Sequence, residues 1–182
     1  METHTSDSLA YQMPVNIRLL EEEDSPALEW DGEYTHFRRL YREIFKSYRL
    51  GKALMWGVEV QGAGIIGQVF IQFQSARLEL ANGINRAYIY SFRIKPPFRN
   101  QGIGSKLLDA VEMDLIERKY RWATLNVARD NQAALRFYLR KGYQKIAAEA
   151  GYWTYQDETG NIHEVHEPAW RLQKNLLTWR VC

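Results

Sequence analysis

The chain of 182 residues has one cysteine, and it is the last residue, Cys182. No intramolecular disulfide can form, a reducing compartment fits, and a chain end is a poor place for a nucleophile that must be held in a pocket. Long apolar runs are missing as well. No segment approaches the roughly 18 uninterrupted apolar residues of a membrane span, and Met1 to Met13 lacks the basic stretch and apolar run of a signal peptide. The expectation is a cytoplasmic protein that makes no membrane contact and has a flexible segment over residues 1–13. Charge of one sign is also lacking: 24 basic residues against 22 acidic ones leave a net +2. That is too little for the broad positive field of a nucleic-acid binder. Repeats and low-complexity segments are absent, so a solenoid or linker array is not expected.

What is present suits one core. Hydrophobic residues make up 46% of the chain and aromatics 13%, and the length does not demand a second domain, so residues 14–182 read as a single domain. Val15 to Leu19 alternates apolar and polar residues as a half-buried strand does. Ser25-Pro26 reads as an N-cap and first-turn proline of a helix that breaks near Gly32. From Thr35, apolar residues at Phe37, Leu40, Tyr41, Ile44, Phe45 and Tyr48 take one-face helical spacing, and Gly51 sits at the C-terminal cap. Three strand-like segments follow, Ala53 to Val60, Ile65 to Gln74 and Ala87 to Ile94, with short connections that favour antiparallel pairing.

After the Pro96-Pro97 break, a glycine turn opens a helix with the apolar stripe Ile103, Leu107, Leu108, Val111 and Leu115, and Trp122 to Val127 reads as the next strand. Strand, crossover helix and strand require one parallel pair. Asp130 or Asn131 can cap a short helix through Arg140, closed by Gly142. Tyr143 to Tyr155 and Ile162 to Leu172 read as a closing hairpin around Glu158-Thr159-Gly160. The fold class expected is α/β, of the α+β type. It is a mixed, mostly antiparallel sheet of about seven strands flanked by about four helices, with a central parallel pair.

Two motifs are decoys. Gly62-Ala63-Gly64-Ile65-Ile66-Gly67 satisfies the dinucleotide-binding pattern, but that pattern holds a pyrophosphate only where it opens a helix, and here Gln68 to Phe73 reads as a strand. A nucleotide-dependent oxidoreductase is the reading it would support. His163-Glu164-Val165-His166-Glu167 has one residue too few between its histidines for the helical zinc motif, and on a strand positions 163 and 166 face opposite sides. No metal is expected.

The turn Arg99-Asn100-Gln101-Gly102-Ile103-Gly104 has the right context. A strand enters it and an amphipathic helix leaves it, its glycines allow close approach of a ligand, and the free amides of a helix N-terminus suit phosphate oxygens. From this segment alone, a phosphate cradle and a plain glycine turn fit equally.

Ile94 to Gly104 resembles the acetyl-CoA pyrophosphate loop of the GNAT N-acetyltransferase superfamily, with the pattern Arg/Gln-x-x-Gly-x-Gly/Ala. A second feature of that superfamily follows in order, Asn131-Gln132-Ala133-Ala134-Leu135-Arg136-Phe137-Tyr138 and then Gly142-Tyr143. The resemblance extends over nearly the whole chain. It implies an acetyl-CoA-dependent N-acetyltransferase. Arg99, Asn100 and the amides of Gln101, Gly102, Ile103, Gly104 and Ser105 would hold the pyrophosphate, and the backbone of Phe92, Arg93 and Ile94 the pantetheine arm, as an added strand. Asn131 would touch that arm or serve as a helix N-cap, and the two roles can coexist. Tyr138 would be the acid that protonates the departing thiolate, although a packed aromatic is its simpler role. Asn131, Ala134 and Tyr138 share one helix stripe.

The resemblance further implies direct attack of a neutral amine on the thioester, with a strand amide near Phe92 or Ile94 holding the developing oxyanion. No base is identifiable from sequence. Glu33 and His36, beside the early helices, are the first candidates, and a solvated helix end is the simpler reading of each. The stretch Trp30 to Arg39 and the hairpin carrying Trp153, Tyr155, His163 and His166 are expected opposite the cofactor. The acceptor amine, a small molecule or a protein or peptide, is left open, as is a CoA-binding regulatory module without turnover. The resemblance makes a homodimer common, but the sequence does not set the oligomeric state.

Overall fold

The structure is a computed structural model that describes residues 14–177; the expectations for residues 1–13 and for Cys182 lie outside the described residues. Nine strands form: β1 (Asn16–Leu19), β2 (Ala53–Val60), β3 (Gly64–Gln72), β4 (Arg86–Ile94), β5 (Trp122–Ala128), β6 (Gln144–Glu149), β7 (Tyr152–Gln156), β8 (Ile162–His166) and β9 (Ala169–Asn175). Three α-helices join them, α1 (Arg38–Arg49), α2 (Ile103–Glu117) and α3 (Gln132–Arg140). Seven strands make one sheet in the order β1-β2-β3-β4-β5-β9-β6, and β7 and β8 make a separate two-stranded ribbon. Only β4 and β5 run parallel within the large sheet. This is the expected mixed α/β architecture.

The sheet is covered on both faces, which explains why β2 and β3 are buried along nearly their whole length instead of alternating. On one face, α2 lays down Ile103, Leu107, Leu108, Val111 and Leu115 and α3 adds Leu135 and Tyr138, against Leu54, Ile71, Ile89, Leu125 and Leu172. On the other, α1 packs Tyr41, Ile44 and Phe45 on Met55 and Phe70. Neighbours in sequence such as Leu54 and Met55 therefore serve opposite cores, as the strand period of two requires. One charged pair is buried in this packing: Lys174 of β9 donates to Glu112 of α2 at 2.5 Å.

Two local expectations are corrected. The first helix is a 3₁₀ stretch, Glu22–Gly32, and it begins before Ser25 because Glu21 and Asp24 form the reciprocal capping box. Trp30 and Asp31 break it with positive φ. The closing hairpin does form, but it is split. Its inner halves, β6 and β9, join the large sheet, while its outer halves, β7 and β8, leave it at Gly151 and Pro168. Gly151 has φ +76°, and a Cβ there would lie 1.8 Å from the Glu167 carbonyl oxygen, so only glycine allows the two backbones to cross this closely.

Gly62 and Gly64 lie in and beside the turn between β2 and β3, and Gly67 lies within β3. The dinucleotide pattern thus opens a strand, as expected.

Candidate active site

The parallel ladder is short. It runs from Arg86 opposite Trp122 to Ile89 opposite Leu125 and stops there, whereas β4 continues to Ile94 and β5 to Ala128. On its other edge β4 stays paired with β3, but the register jumps: Phe70 faces Tyr90 and Gln68 faces Arg93, so β4 carries an extra residue. Ser91, within that jump, has φ +51°. A bulge of this kind bends its strand and re-aims the residues that follow. The result is a cleft of about 630 Å³ between the parted strands, lined by Tyr90 to Ile94, Leu125 to Ala128, Asn131 and Tyr138.

At the end of β4 the chain turns through Pro96–Phe98, and the Arg99 Nε donates to the Ile94 carbonyl at 2.7 Å, which ties the turn to the strand. Gly102, in the left-handed region at φ +76°, sits at the N-terminus of α2. Amides of a first helical turn have no partner within the helix, so they are free for an anion. A second hollow of about 490 Å³ lies over this turn, lined by Asn100, Gly102, Gly104 and Ser105, and it shares Phe92, Ile94, Arg99 and Tyr138 with the cleft. The two form one groove from the glycine turn to the gap between the strands. Gly104 lines it, and a Cβ there would make ordinary contact with the Phe92 ring at 3.6 Å, so a side chain larger than a methyl would press on that ring or enter the groove.

Tyr138 stands where the hollows meet. Asn131 caps α3, its Oδ1 accepting from the Ala134 amide at 3.1 Å, and it also lines the cleft, so both readings of this residue have a structural basis. Tyr138, on the last turn of α3, is 7% exposed and packs edge-on against Phe92 at 6.2 Å and Tyr143 at 5.6 Å. Burial pushes its phenol well above the ordinary value of about 10, and Tyr88 adds to the shift.

The loop residues divide. Phe92, Arg93, Ile94, Arg99, Asn131 and Tyr138 line the cleft, and Asn100, Gly102, Gly104 and Ser105 line the hollow over the turn. The Gln101 side chain turns back to the Pro97 carbonyl, and Ile103 is buried in the core. Glu33 and His36 do not line the cleft: the Glu33 carboxylate lies beside the Tyr34 hydroxyl, and the His36 ring packs on Phe37 at 4.1 Å.

The ribbon crosses to α1. Trp153 and Tyr155 meet Phe37 at 6.4 and 4.9 Å, and Arg42 pairs with Glu158 at 3.0 Å. His163 stacks on Tyr155 and His166 on Tyr152, on opposite faces of the ribbon. Among the described residues no three histidine, cysteine, aspartate or glutamate side chains gather in a way that could hold a metal ion.

Glu167 and the Arg93 side chain are not marked by the sequence, whereas Tyr34 falls within the Trp30 to Arg39 stretch expected opposite the cofactor. Tyr34 and Glu167 line the cleft, from the 3₁₀ side and from the ribbon corner. The Arg93 side chain, as distinct from its backbone, lies with its guanidinium carbon 4.0 Å from the centre of the Tyr34 ring. No local pattern marks Glu167, which reaches the cleft only because the hairpin bends at Gly151.

Among curated proteins, none matches the chain in sequence. Solved structures of the same fold are numerous. The ribosomal-protein-S18-alanine N-acetyltransferase from Escherichia coli superposes with a TM-score of 0.66 at 20% identity, over 90% of this chain and 94% of that one. NAA60 of Arabidopsis thaliana, in complex with acetyl-CoA, gives 0.68 at 17% identity over 89% and 98%. A spermidine N-acetyltransferase SpeG chimera from Vibrio cholerae and hSSAT gives 0.70 at 16% identity over 92% and 99%. At these identities the likeness is one of fold. The sequence model of the acetyltransferase (GNAT) family matches residues 17–143, a span that contains the parted strands, the glycine turn and Tyr138, and the chain therefore belongs to that family of acyltransferases.

Proposed function

We propose that the protein transfers the acetyl group of acetyl-CoA to a primary amine by direct attack in a ternary complex. The observation that carries this reading is the groove itself. It joins a helix N-terminus suited to a pyrophosphate to a gap between parallel strands whose free edge suits an amide-bearing arm, with a buried tyrosine at the junction. Bound there, acetyl-CoA supplies an activated acyl group as a thioester.

Each residue then has a task. The first-turn amides of α2, with Arg99 and Ser105, hold the pyrophosphate. The backbone of Phe92 to Ile94, past the bulge at Ser91 and beyond the end of the ladder with β5, bonds the pantetheine arm and offers an amide to the carbonyl oxygen of the acyl group. The amine gives up a proton, its nitrogen forms the new bond to the acyl carbon, the carbon–sulfur bond breaks, and the sulfur takes a proton from Tyr138. Glu167 receives the proton of the amine, because it is the one carboxylate lining the cleft among the described residues. Glu33 and His36 lie outside that lining and are not given the task.

The test is to incubate the protein with acetyl-CoA and a broad panel of amines and peptides and to follow release of free thiol. Turnover with at least one acceptor is expected. Absence of turnover with every acceptor, together with absence of CoA binding by calorimetry, would sink the proposal.

A further inference from the structure

We infer that the acceptor is a small amine that also carries a carboxylate, and that Arg93 recognises that carboxylate. The inference rests on the acetyl-transfer reading above and adds the acceptor's chemistry. Arg93 belongs to β4 just past the bulge and lines the cleft between the parted strands, but not the hollow over the glycine turn. Its guanidinium is therefore on the acceptor side, away from the place proposed for the pyrophosphate.

Among the described residues this side chain is held by aromatic rings and a hydroxyl, not by a carboxylate. It lies over the Tyr34 ring at 4.0 Å and near the Phe37 ring at 5.2 Å, and one Nη donates weakly to the Tyr41 hydroxyl at 3.4 Å. No carboxylate pairs with it among the described residues, although arginines elsewhere, such as Arg18, Arg38 and Arg77, hold carboxylates at 2.6 to 2.8 Å. Glu33 lies near the Tyr34 hydroxyl and makes no ion pair with Arg93. A guanidinium stacked on aromatic rings keeps its planar fork of donors in a fixed orientation, and so loses little freedom when an anion arrives.

One guanidinium matches one carboxylate in both charge and two-point geometry. A phosphoryl group, with roughly two negative charges at neutral pH, would call for a second cation, and among the described residues the only other one lining the cleft is Arg99, tied to the Ile94 carbonyl at the cofactor end. Glu167 lines the same cleft. A carboxylate on Arg93 and an ammonium handed to Glu167 describe the two ends of an amino acid. The same arrangement disfavours polyamines, whose several positive charges would meet Arg93.

The experiment compares the L-amino acids, the carboxamide of each, and spermidine as acceptors, with thiol release as readout and CoA affinity measured in parallel. At least one amino acid is expected to exceed its own amide by tenfold or more in kcat/KM, with spermidine poor. Arg93→Gln is expected to bring the acid-to-amide ratio of kcat/KM from roughly tenfold or more down to about one, and Arg93→Lys should restore part of the preference. Amines acetylated with no preference for the carboxylate overturn this inference alone. So does an Arg93→Gln variant that loses acid and amide equally. Absence of turnover and of CoA binding overturns the acetyl-transfer reading, and this inference with it.

Discussion

Ile89 and Leu125 face each other as the last partners of the parallel ladder, and beyond them β4 and β5 separate. The groove that opens there is kept clear at its other end by Gly104, whose α-carbon leaves no more than one methyl of space before the Phe92 ring. In Gly104→Val the branched side chain enters the groove. CoA affinity should fall at least tenfold, which is about 1.4 kcal/mol, while the melting temperature falls only modestly because the first side-chain carbon makes ordinary contact with Phe92 and Ile94. Calorimetric titration with CoA and a thermal melt check both parts.

Tyr138→Phe keeps the ring packed against Phe92 and Tyr143 and removes only the proton. Turnover should drop by roughly a hundredfold or more, with CoA affinity within about twofold of the parent protein. The pH profile carries the same point. Burial raises the phenol's pKa, so the proton-bearing form persists throughout the neutral and mildly alkaline range. The rate should rise with pH as the amine becomes neutral and show no alkaline fall below about pH 10. A fall near pH 8 would remove Tyr138 from the role of acid.

Glu167→Gln retains the size of the side chain at the ribbon corner but cannot take a proton. At neutral pH kcat/KM should decline by about a hundredfold. Above about pH 9, where more of the amine is neutral in solution, the gap to the parent protein should narrow. A gap that stays constant across the profile would show that Glu167 is not the proton acceptor.

Gly151→Ala sets a methyl group against the Glu167 carbonyl and holds a non-glycine residue at φ +76°. The left-handed backbone alone costs about 1–2 kcal/mol, and the overlap adds to it. The expected result is a lower melting temperature and a raised KM for the acceptor, with CoA binding retained, because the corner carries Glu167 and not the glycine turn.

Lys174→Met strands the carboxylate of Glu112, which is 1% exposed. Removing one member of a buried pair costs about 3–5 kcal/mol, whereas Glu112→Leu combined with Lys174→Met should recover part of that loss. Burial already raises the pKa of Glu112 above the usual carboxylate value. In the variant, the folded state therefore binds this proton at a pH where the unfolded chain has released it, and lowering the pH favours folding through that window. Denaturant melts of parent and Lys174→Met should differ less at about pH 5 than at about pH 8.

The parts of this fold that were legible in the sequence are those fixed by near neighbours. The helical stripe from Phe37 to Tyr48, the strand Ala53–Val60 and the Asn131 cap each depend on contacts within one or two turns or on a regular alternation, and each forms within its expected bounds to about a turn. The glycine turn was legible because its backbone demand is local. One miss is local: the 3₁₀ stretch starts at Glu22 because of a side-chain exchange between Glu21 and Asp24 that apolar periodicity does not register. The other features that stayed hidden depend on distant partners. The bend at Gly151 exists only in relation to Glu167, and the exposure of Arg93 to the cleft depends on a bulge that shifts the strand by one residue against β3. The side of the cleft formed by Tyr34, Arg93 and Glu167 is built almost wholly from such long-range relations, which is why no local pattern marked it.

The split of the closing hairpin at Gly151 and Pro168 separates two evolutionary ledgers in one chain. Residues 144–149 and 169–175 are bound to the register of the large sheet and cannot drift without misaligning β5. Residues 152–166 pair with one another and touch the rest of the chain mainly through Phe37, His36 and the Arg42–Glu158 pair. The outer ribbon, residues 152–166, can therefore change in length or sequence beyond a single glycine without shifting the register of the large sheet.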